Sequence, residues 1–136
     1  MALPFVGGGY QNNDGNLNEI VLGKMAAPLT AAGDATLSTA QLLGGILLGS
    51  PGTSAAAYTT PTGTQIDTAL ENAKIGSTFD LSIVNVNGSS SGVITLTAGT
   101  GVSTVGLMTV VATAGTAQMF RFRKTGVGTY TVYRVA

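Results

Sequence analysis

The chain has 136 residues and a formal net charge of zero, with 44% hydrophobic and only 9% charged residues. This length fits one compact domain with a short extension. Cysteine and histidine are absent, which excludes thiolate and imidazole catalysis, disulfides and most zinc, copper or haem sites. A surface so poor in charge is either covered by small polar residues or buried against partners, and the second option favours an oligomer.

The charges are unevenly distributed along the chain. Residues 1–80 contain two lysines against six acids and have a net charge of −4, whereas residues 81–136 contain four bases and no acid. These charges either cancel across one folded surface or form complementary faces that meet between neighbouring subunits or against an acidic shell.

Residues 1–35 are predicted to form an extended N-terminal arm. Their glycine and asparagine runs at 7–9 and 12–16 favour turns and disfavour a helix. The large side chains of this segment, among them Phe5 and Tyr10, are candidate anchors on a neighbouring protein. The first residues do not resemble a signal peptide, and no apolar run is long enough to cross a membrane, so no membrane partner is expected.

Residues 36–50 are compatible with either a helical turn or a strand. Ser38 or Thr39 is a suitable helix cap and Gly44 with Gly45 a suitable stop, but periodicity does not decide over so short a segment. The next segment is clearer, because Thr62 and Gln65 have the spacing of a capping box. One short amphipathic helix is therefore predicted from there towards Gly76.

From residue 79 onward, strand-like runs alternate with glycine turns, which is typical of a β-sandwich or barrel. The predicted strands span residues 79–86, 93–97, 107–113, 117–124 and 129–135. The run 107–113 is apolar on both faces, as in a central strand or one covered by a neighbouring subunit. In the last hairpin, Phe120 and Phe122 alternate with Arg121 and Arg123, so one face should be apolar and the other cationic.

No motif indicates catalysis or a bound cofactor. Asp67 and Glu71 lie one helical turn apart, and a glycosidase would need two such carboxyls converging on a substrate cleft, but an exposed helix face explains them more simply. The asparagine-rich run before Val21 fails the calcium-loop pattern, because carboxylates are missing at its first and last positions. We therefore expect no enzyme, no cofactor and no metal. Nucleic acid is not an expected partner either, because the strand period separates the phenylalanines from the arginines.

Several runs resemble small β-rich capsid decoration proteins, also called cement proteins, of tailed bacteriophages. They are residues 37–47 (LSTAQLLGGIL), 58–62 (YTTPT), 76–79 (GSTF), 83–85 (IVN), 94–96 (ITL), 120–122 (FRF) and 130–133 (YTVY). The resemblance covers Thr36 to the C-terminus and excludes the arm. It implies an antiparallel β-sandwich or jelly-roll-like domain over residues 36–136. It also implies a homotrimer on the outer surface of the virion that bridges subunits of the major capsid protein.

The resulting hypothesis is a structural virion protein that decorates and stabilises the phage head. Its predicted contacts with capsid or sister subunits are Phe5 and Tyr10 on the arm, and Arg121, Arg123 and Arg134 on a cationic strand face. Deleting residues 1–15 should then weaken capsid occupancy while leaving a folded trimer. A phage tail, fibre or receptor-binding module is the alternative, and a carbohydrate-active enzyme that uses Asp67 or Glu71 is a third interpretation.

Overall fold

The computed structural model describes residues 22–87, 92–113 and 115–136. In these ranges the chain is mainly β, as predicted, with ten strands in two sheets and two short helices. In chain order the elements are β1 (Leu29–Ala32), β2 (Ala35–Thr36), α1 (Thr39–Leu43), β3 (Ile46–Ser50), β4 (Ala56–Thr59), α2 (Gly63–Ala69), β5 (Thr78–Asn85), β6 (Ile94–Thr97), β7 (Val102–Val105), β8 (Thr109–Val110), β9 (Ala117–Gly126) and β10 (Thr129–Arg134).

The strands pair in a mixed pattern, so the prediction of antiparallel sheets is wrong. The larger sheet has the order β1-β3-β5-β9-β10-β7 and the smaller one β2-β4-β6-β8. The chain changes sheet after every strand from β1 to β8. Four of the strands that return to a sheet in this way run parallel to the earlier strand, in the β1–β3, β3–β5, β2–β4 and β4–β6 pairs. Antiparallel pairing joins β5 to β9, β9 to β10 and β6 to β8.

Both helices begin at capping boxes. Ser38 caps α1 together with Gln41, and Thr62 caps α2 together with Gln65. The open question about residues 36–50 is thereby answered: a helix is followed by strand β3. The described part of the chain has two short helices where one was predicted, and α2 ends before Leu70 rather than continuing towards Gly76. Neither helix is long and apolar enough to cross a membrane.

The core lies between the two sheets and is closed by the helices. Alternate residues of each strand point inward, so Phe120 and Phe122 are fully buried while Arg121 and Arg123 are exposed, as the period of two predicted. The largest fully buried side chains are Tyr58, Tyr130, Phe120, Phe122, Leu42, Leu47, Ile66, Leu81, Ile83, Ile94, Val110 and Val132. Their burial supplies most of the hydrophobic stabilisation of the fold.

The apolar run 107–113 does not form a central strand. Only Thr109 and Val110 pair, and their strand β8 lies at the edge of the smaller sheet. Leu107 and Val111 on either side are exposed. The apolar residues on both faces of the run had suggested a central strand or one covered by a neighbouring subunit, but only two of these residues pair in the sheet.

Residues 22–28 have no regular secondary structure and are exposed. Strands β1 and β2 follow directly and pair with β3 and β4, so residues 29–36 belong to the two sheets. Phe5 and Tyr10 lie outside the described residues.

Candidate interaction surface

The two sheets present very different outer faces. On the smaller sheet the outward side chains are mostly threonines: Thr36, Thr59 and Thr97 form one row, and Thr95 and Thr109 continue the next. Such a face is fully compatible with water. The outer face of the larger sheet is much more apolar.

We define the outer face of the larger sheet by the side chains that alternate with its buried residues. They are Ile46 and Leu48 on β3, Asp80, Ser82 and Val84 on β5, Ala117, Met119, Arg121 and Arg123 on β9, Thr131 and Tyr133 on β10, Val105 on β7, and the adjoining Val135.

One end of this outer face is apolar. Val84 lies between Leu48 and Ala117 in the register, and Met119 hydrogen-bonds through its backbone to Val135. Val135 is 44% exposed. Val105, 51% exposed at the β7 edge, lies in register with Tyr133 and so belongs to the row of Arg121. A sheet that is apolar on both sides is normally covered on both sides, so this end has the character of an interface.

The other end of the outer face is polar and charged. Arg121 donates two hydrogen bonds to the carboxylate of Asp80, from Nε at 2.8 Å and from Nη2 at 3.0 Å. The guanidinium lowers the pKa of Asp80. Both side chains remain 40–48% exposed, and a pair so accessible to solvent contributes little to stability. Arg123 follows on the same face and has no ion pair within the described residues.

The structure brings together two of the three predicted cationic contacts and separates the third. Arg121 and Arg123 share the outer face with Tyr133, whereas Arg134 is paired with Phe120 and therefore points to the other side of the sheet. There its Nη1 donates to the Leu107 carbonyl oxygen at 3.3 Å. A single cationic face of Arg121, Arg123 and Arg134 is therefore wrong, because strand alternation puts Arg134 in register with buried side chains.

The uneven charge distribution is partly explained by contacts within the chain. Arg121 pairs with Asp80 and Lys124 pairs with Asp67, so two of the four bases after residue 80 meet acids from the first part of the sequence. For these two pairs, the opposite charges therefore cancel within one subunit rather than between neighbouring subunits.

Asp67 joins α2 to the β9–β10 hairpin. Its Oδ1 accepts hydrogen bonds from Lys124 Nζ at 2.7 Å and from the Tyr130 hydroxyl at 2.6 Å, and its Oδ2 accepts from the Gly128 N–H at 2.6 Å. The pKa of Asp67 is lowered to about 2, first by the hydrogen bond from Lys124 and then by those from Tyr130 and Gly128. Burial, and then the hydrogen bond to Asp67, raise the pKa of Tyr130. Asp67 therefore stays ionised and fully engaged, which does not suit the general acid of a glycosidase.

Three loops meet beside Asp67 at glycines. A Cβ on Gly63, the first residue of α2, would overlap the backbone carbonyl of Gly128, and one on Gly101 would approach the same oxygen. Gly101 and Gly128 both have positive φ angles, of 83° and 64°, which glycine adopts without strain. The sequence shows only separate glycines here, and their convergence requires the tertiary fold.

Two surface pockets adjoin α2, and Ala69 lines both of them. One, of about 620 Å³, is bounded by the end of α2, the loop that follows and the start of β5, with Phe79 and Tyr130 in its wall. The other, of about 520 Å³, lies between α1 and α2 and includes Ser38 and Gln65. No group of three or more acidic, histidine or cysteine side chains within residues 22–87, 92–113 and 115–136 is arranged to hold a metal ion.

Compared with protein-family models, curated proteins and solved structures, the chain matches none of them.

Proposed function

We propose that the protein is a non-enzymatic structural component of a phage virion. In this proposal it sits as a homotrimer on the outer surface of the capsid, where it decorates and stabilises the head by bridging subunits of the major capsid protein. The resemblance of residues 36–136 to cement proteins is one support, together with the low charged fraction of 9%.

The observation that supports the proposal best is the contrast between the two outer faces. The outward side chains of the smaller sheet are mostly threonines, whereas the outer face of the larger sheet carries Leu48, Val84 and Met119, with Val135 exposed beside Met119. Burying this apolar end would contribute about 25 cal/mol per Å² to association, although ordering costs offset much of it. A trimer repeats the contact three times and so gains avidity without further bond types.

The proposal extends to the fold class. We assign the two sheets to a β-sandwich, because buried side chains of both sheets form one common core. A jelly-roll-like arrangement is less well supported, since jelly rolls are built from antiparallel strands and several pairs here are parallel.

The test combines the mass of the protein in solution with co-sedimentation on empty phage heads that lack it. The wild-type chain should be a trimer that pellets only with heads. Met119→Lys introduces a charge into the apolar end and should reduce the bound fraction at least about tenfold, since a charge buried at an interface is strongly unfavourable. Thr97→Lys, on the exposed threonine face, is the matched control and should bind normally.

Equal pelleting of both variants would exclude the outer face as the docking surface. A Met119→Lys protein that is monomeric would assign the face to the trimer interface, and one that is trimeric but unbound would assign it to the capsid contact. If the wild-type protein stays in the supernatant and binds saturably to host cells, the alternative of a tail, fibre or receptor-binding module replaces the proposal.

A further inference from the structure

The pocket next to the end of α2 has the dimensions of a ligand site. Its volume of about 620 Å³ lies within the range of about 300–1,000 Å³ that is usual for small-molecule clefts. Its wall includes Leu70, Phe79 and Tyr130 on the apolar side and Glu71, Asn72 and Ser77 on the polar side.

The aromatic wall of this pocket is held rigidly. The Phe79 ring stacks on Phe122 with ring centroids 4.8 Å apart and planes 6° apart, and Tyr130 packs edge-on at 6.4 Å. Phe122 and Tyr130 are buried, whereas Phe79 is only partly buried and lines the pocket. Phe79 therefore offers a preorganised apolar surface, which reduces the entropy lost on binding.

The polar wall has hydrogen-bonding groups that are not used elsewhere in the described structure. Glu71 and Asn72 make no side-chain hydrogen bond to another described residue, and together they provide acceptors and an amide donor. The Ser77 hydroxyl accepts from the Lys74 N–H at 2.9 Å and keeps its own hydrogen to donate. In the pocket between the helices, by contrast, the Gln65 side-chain oxygen accepts from the Thr62 N–H, and the Thr68 hydroxyl donates its hydrogen to the Thr64 carbonyl oxygen.

The charge of the lining narrows the class of ligand. Glu71 is the single charged side chain among the described residues that line the pocket, and no basic side chain accompanies it. A phosphate or another anion would find no counter-charge there. A molecule with one flat apolar face and several hydroxyl groups matches both walls, and a pyranose has this form.

We propose that the pocket formed by Leu70, Glu71, Asn72, Ser77, Phe79 and Tyr130 binds a neutral saccharide. The inference does not depend on the proposed function, because the pocket lies at the end of α2 and shares none of these residues with the apolar end of the outer face.

The experiment titrates the full chain, labelled with ¹⁵N, with D-glucose, D-galactose, N-acetyl-D-glucosamine, lactose and chitobiose, and follows the amide signals by NMR. At least one sugar should cause saturable shifts confined to residues around 70–79 and to the neighbourhood of Tyr130. Its Kd should change less than about twofold between about 0.05 M and about 0.5 M NaCl, since a neutral ligand is little affected by screening.

Variants distinguish this pocket from weak binding elsewhere. Asn72→Ala removes an exposed hydrogen-bonding group without disturbing the core and should raise the Kd about tenfold. Ala73→Trp should fill the pocket and abolish the shifts, whereas Thr97→Ala, on the opposite sheet, should bind like the wild type. The proposal is overturned if none of the five sugars shifts these signals, or if Asn72→Ala and Ala73→Trp both bind as tightly as the wild-type chain.

Discussion

The carboxylate of Asp67 and the ammonium group of Lys124 lie 2.7 Å apart, although 57 positions separate them in the sequence. The contact ties α2 to β9, and the same carboxylate also accepts from Tyr130 and Gly128. One acidic side chain thus fixes the helix to both strands of the last hairpin and to the turn between them.

Asp67 should make stability depend on acidic pH. Its pKa is lowered from 3.8 to about 2 in the folded protein, so the unfolded chain binds the proton first. The stabilisation is therefore complete above about pH 4 and is lost as the pH falls towards about 2. Asp67→Asn should have a lower Tm at neutral pH and a flatter decline on acidification, measured by circular dichroism.

Asp80→Asn is the comparison for this prediction. Arg121 lowers the pKa of Asp80 as well. Part of the dependence of stability on acidic pH should therefore persist in Asp67→Asn. Because the Asp80 pair is exposed, its loss should change the neutral-pH Tm much less than the loss of Asp67. Parallel curves of Tm against pH for wild type and Asp67→Asn would contradict the assignment.

Gly63→Ala should destabilise the fold strongly. The added Cβ meets backbone rather than a movable side chain, since it would overlap the Gly128 carbonyl. Relief requires α2 to move away from the hairpin, and overpacking of this kind costs about 3 kcal/mol. Gly23→Ala, where no atom lies within 4 Å of the new Cβ, should change the free energy of unfolding by less than about 0.5 kcal/mol. Urea denaturation measures both, and equal midpoints would refute the close approach.

Asn85→Asp tests the buried amide at the end of β5. The Asn85 side chain is fully buried and donates from Nδ2 to the carbonyl oxygens of Gly92 at 2.7 Å and Val111 at 3.0 Å. In Asn85→Asp the oxygen that replaces Nδ2 would face these two carbonyl oxygens, and only Oδ1 would keep a donor, the Asn87 N–H at 3.0 Å. We therefore expect a loss of about 3 kcal/mol at neutral pH.

Asn72→Asp provides the matched control for the same chemical change at an exposed position, and its denaturation midpoint should stay near that of the wild type. A similar stability for the two variants would show that Asn85 is not held by these two carbonyls.

Arg123→Glu and Arg134→Glu should separate the two sides of the larger sheet. If the outer face contacts the capsid, as proposed above, Arg123→Glu should weaken co-sedimentation with heads, and more so at low salt. Arg134→Glu reverses a charge on the opposite side and should bind within about twofold of the wild type. If Arg134→Glu weakened co-sedimentation more than Arg123→Glu, the docking surface would instead lie near Arg134 and Leu107.

Local signals in the sequence predicted the elements that depend on neighbouring residues. The capping box of Thr62 and Gln65 located the start of α2, and the alternation of Phe120 and Phe122 with arginines located β9 and its buried face. In both cases the deciding sequence pattern lies within a few residues along the chain.

Elements that depend on distant partners were not predictable. Strand β1 pairs Leu29 with Leu47, and β2 pairs Ala35 with Tyr58, in parallel registers that no local pattern specifies. The position of Arg134 required the register of β10 against β9. The contacts of Asp67 depend on how α2 packs against the β9–β10 hairpin. The one local indication of this packing is Gly63, the first residue of α2.

The alternation of the chain between the sheets also has a consequence for biosynthesis. Strands β9 and β10 lie between β5 and β7 in the larger sheet, yet they follow all the other described strands along the chain. A nascent chain that has emerged only as far as β8 therefore exposes two unfilled sheet edges, and its core lacks Phe120, Phe122, Tyr130 and Val132. Folding of the larger sheet must wait for β10 and should be slow, because its pairings are non-local. Such a chain is vulnerable to aggregation until β10 leaves the ribosome.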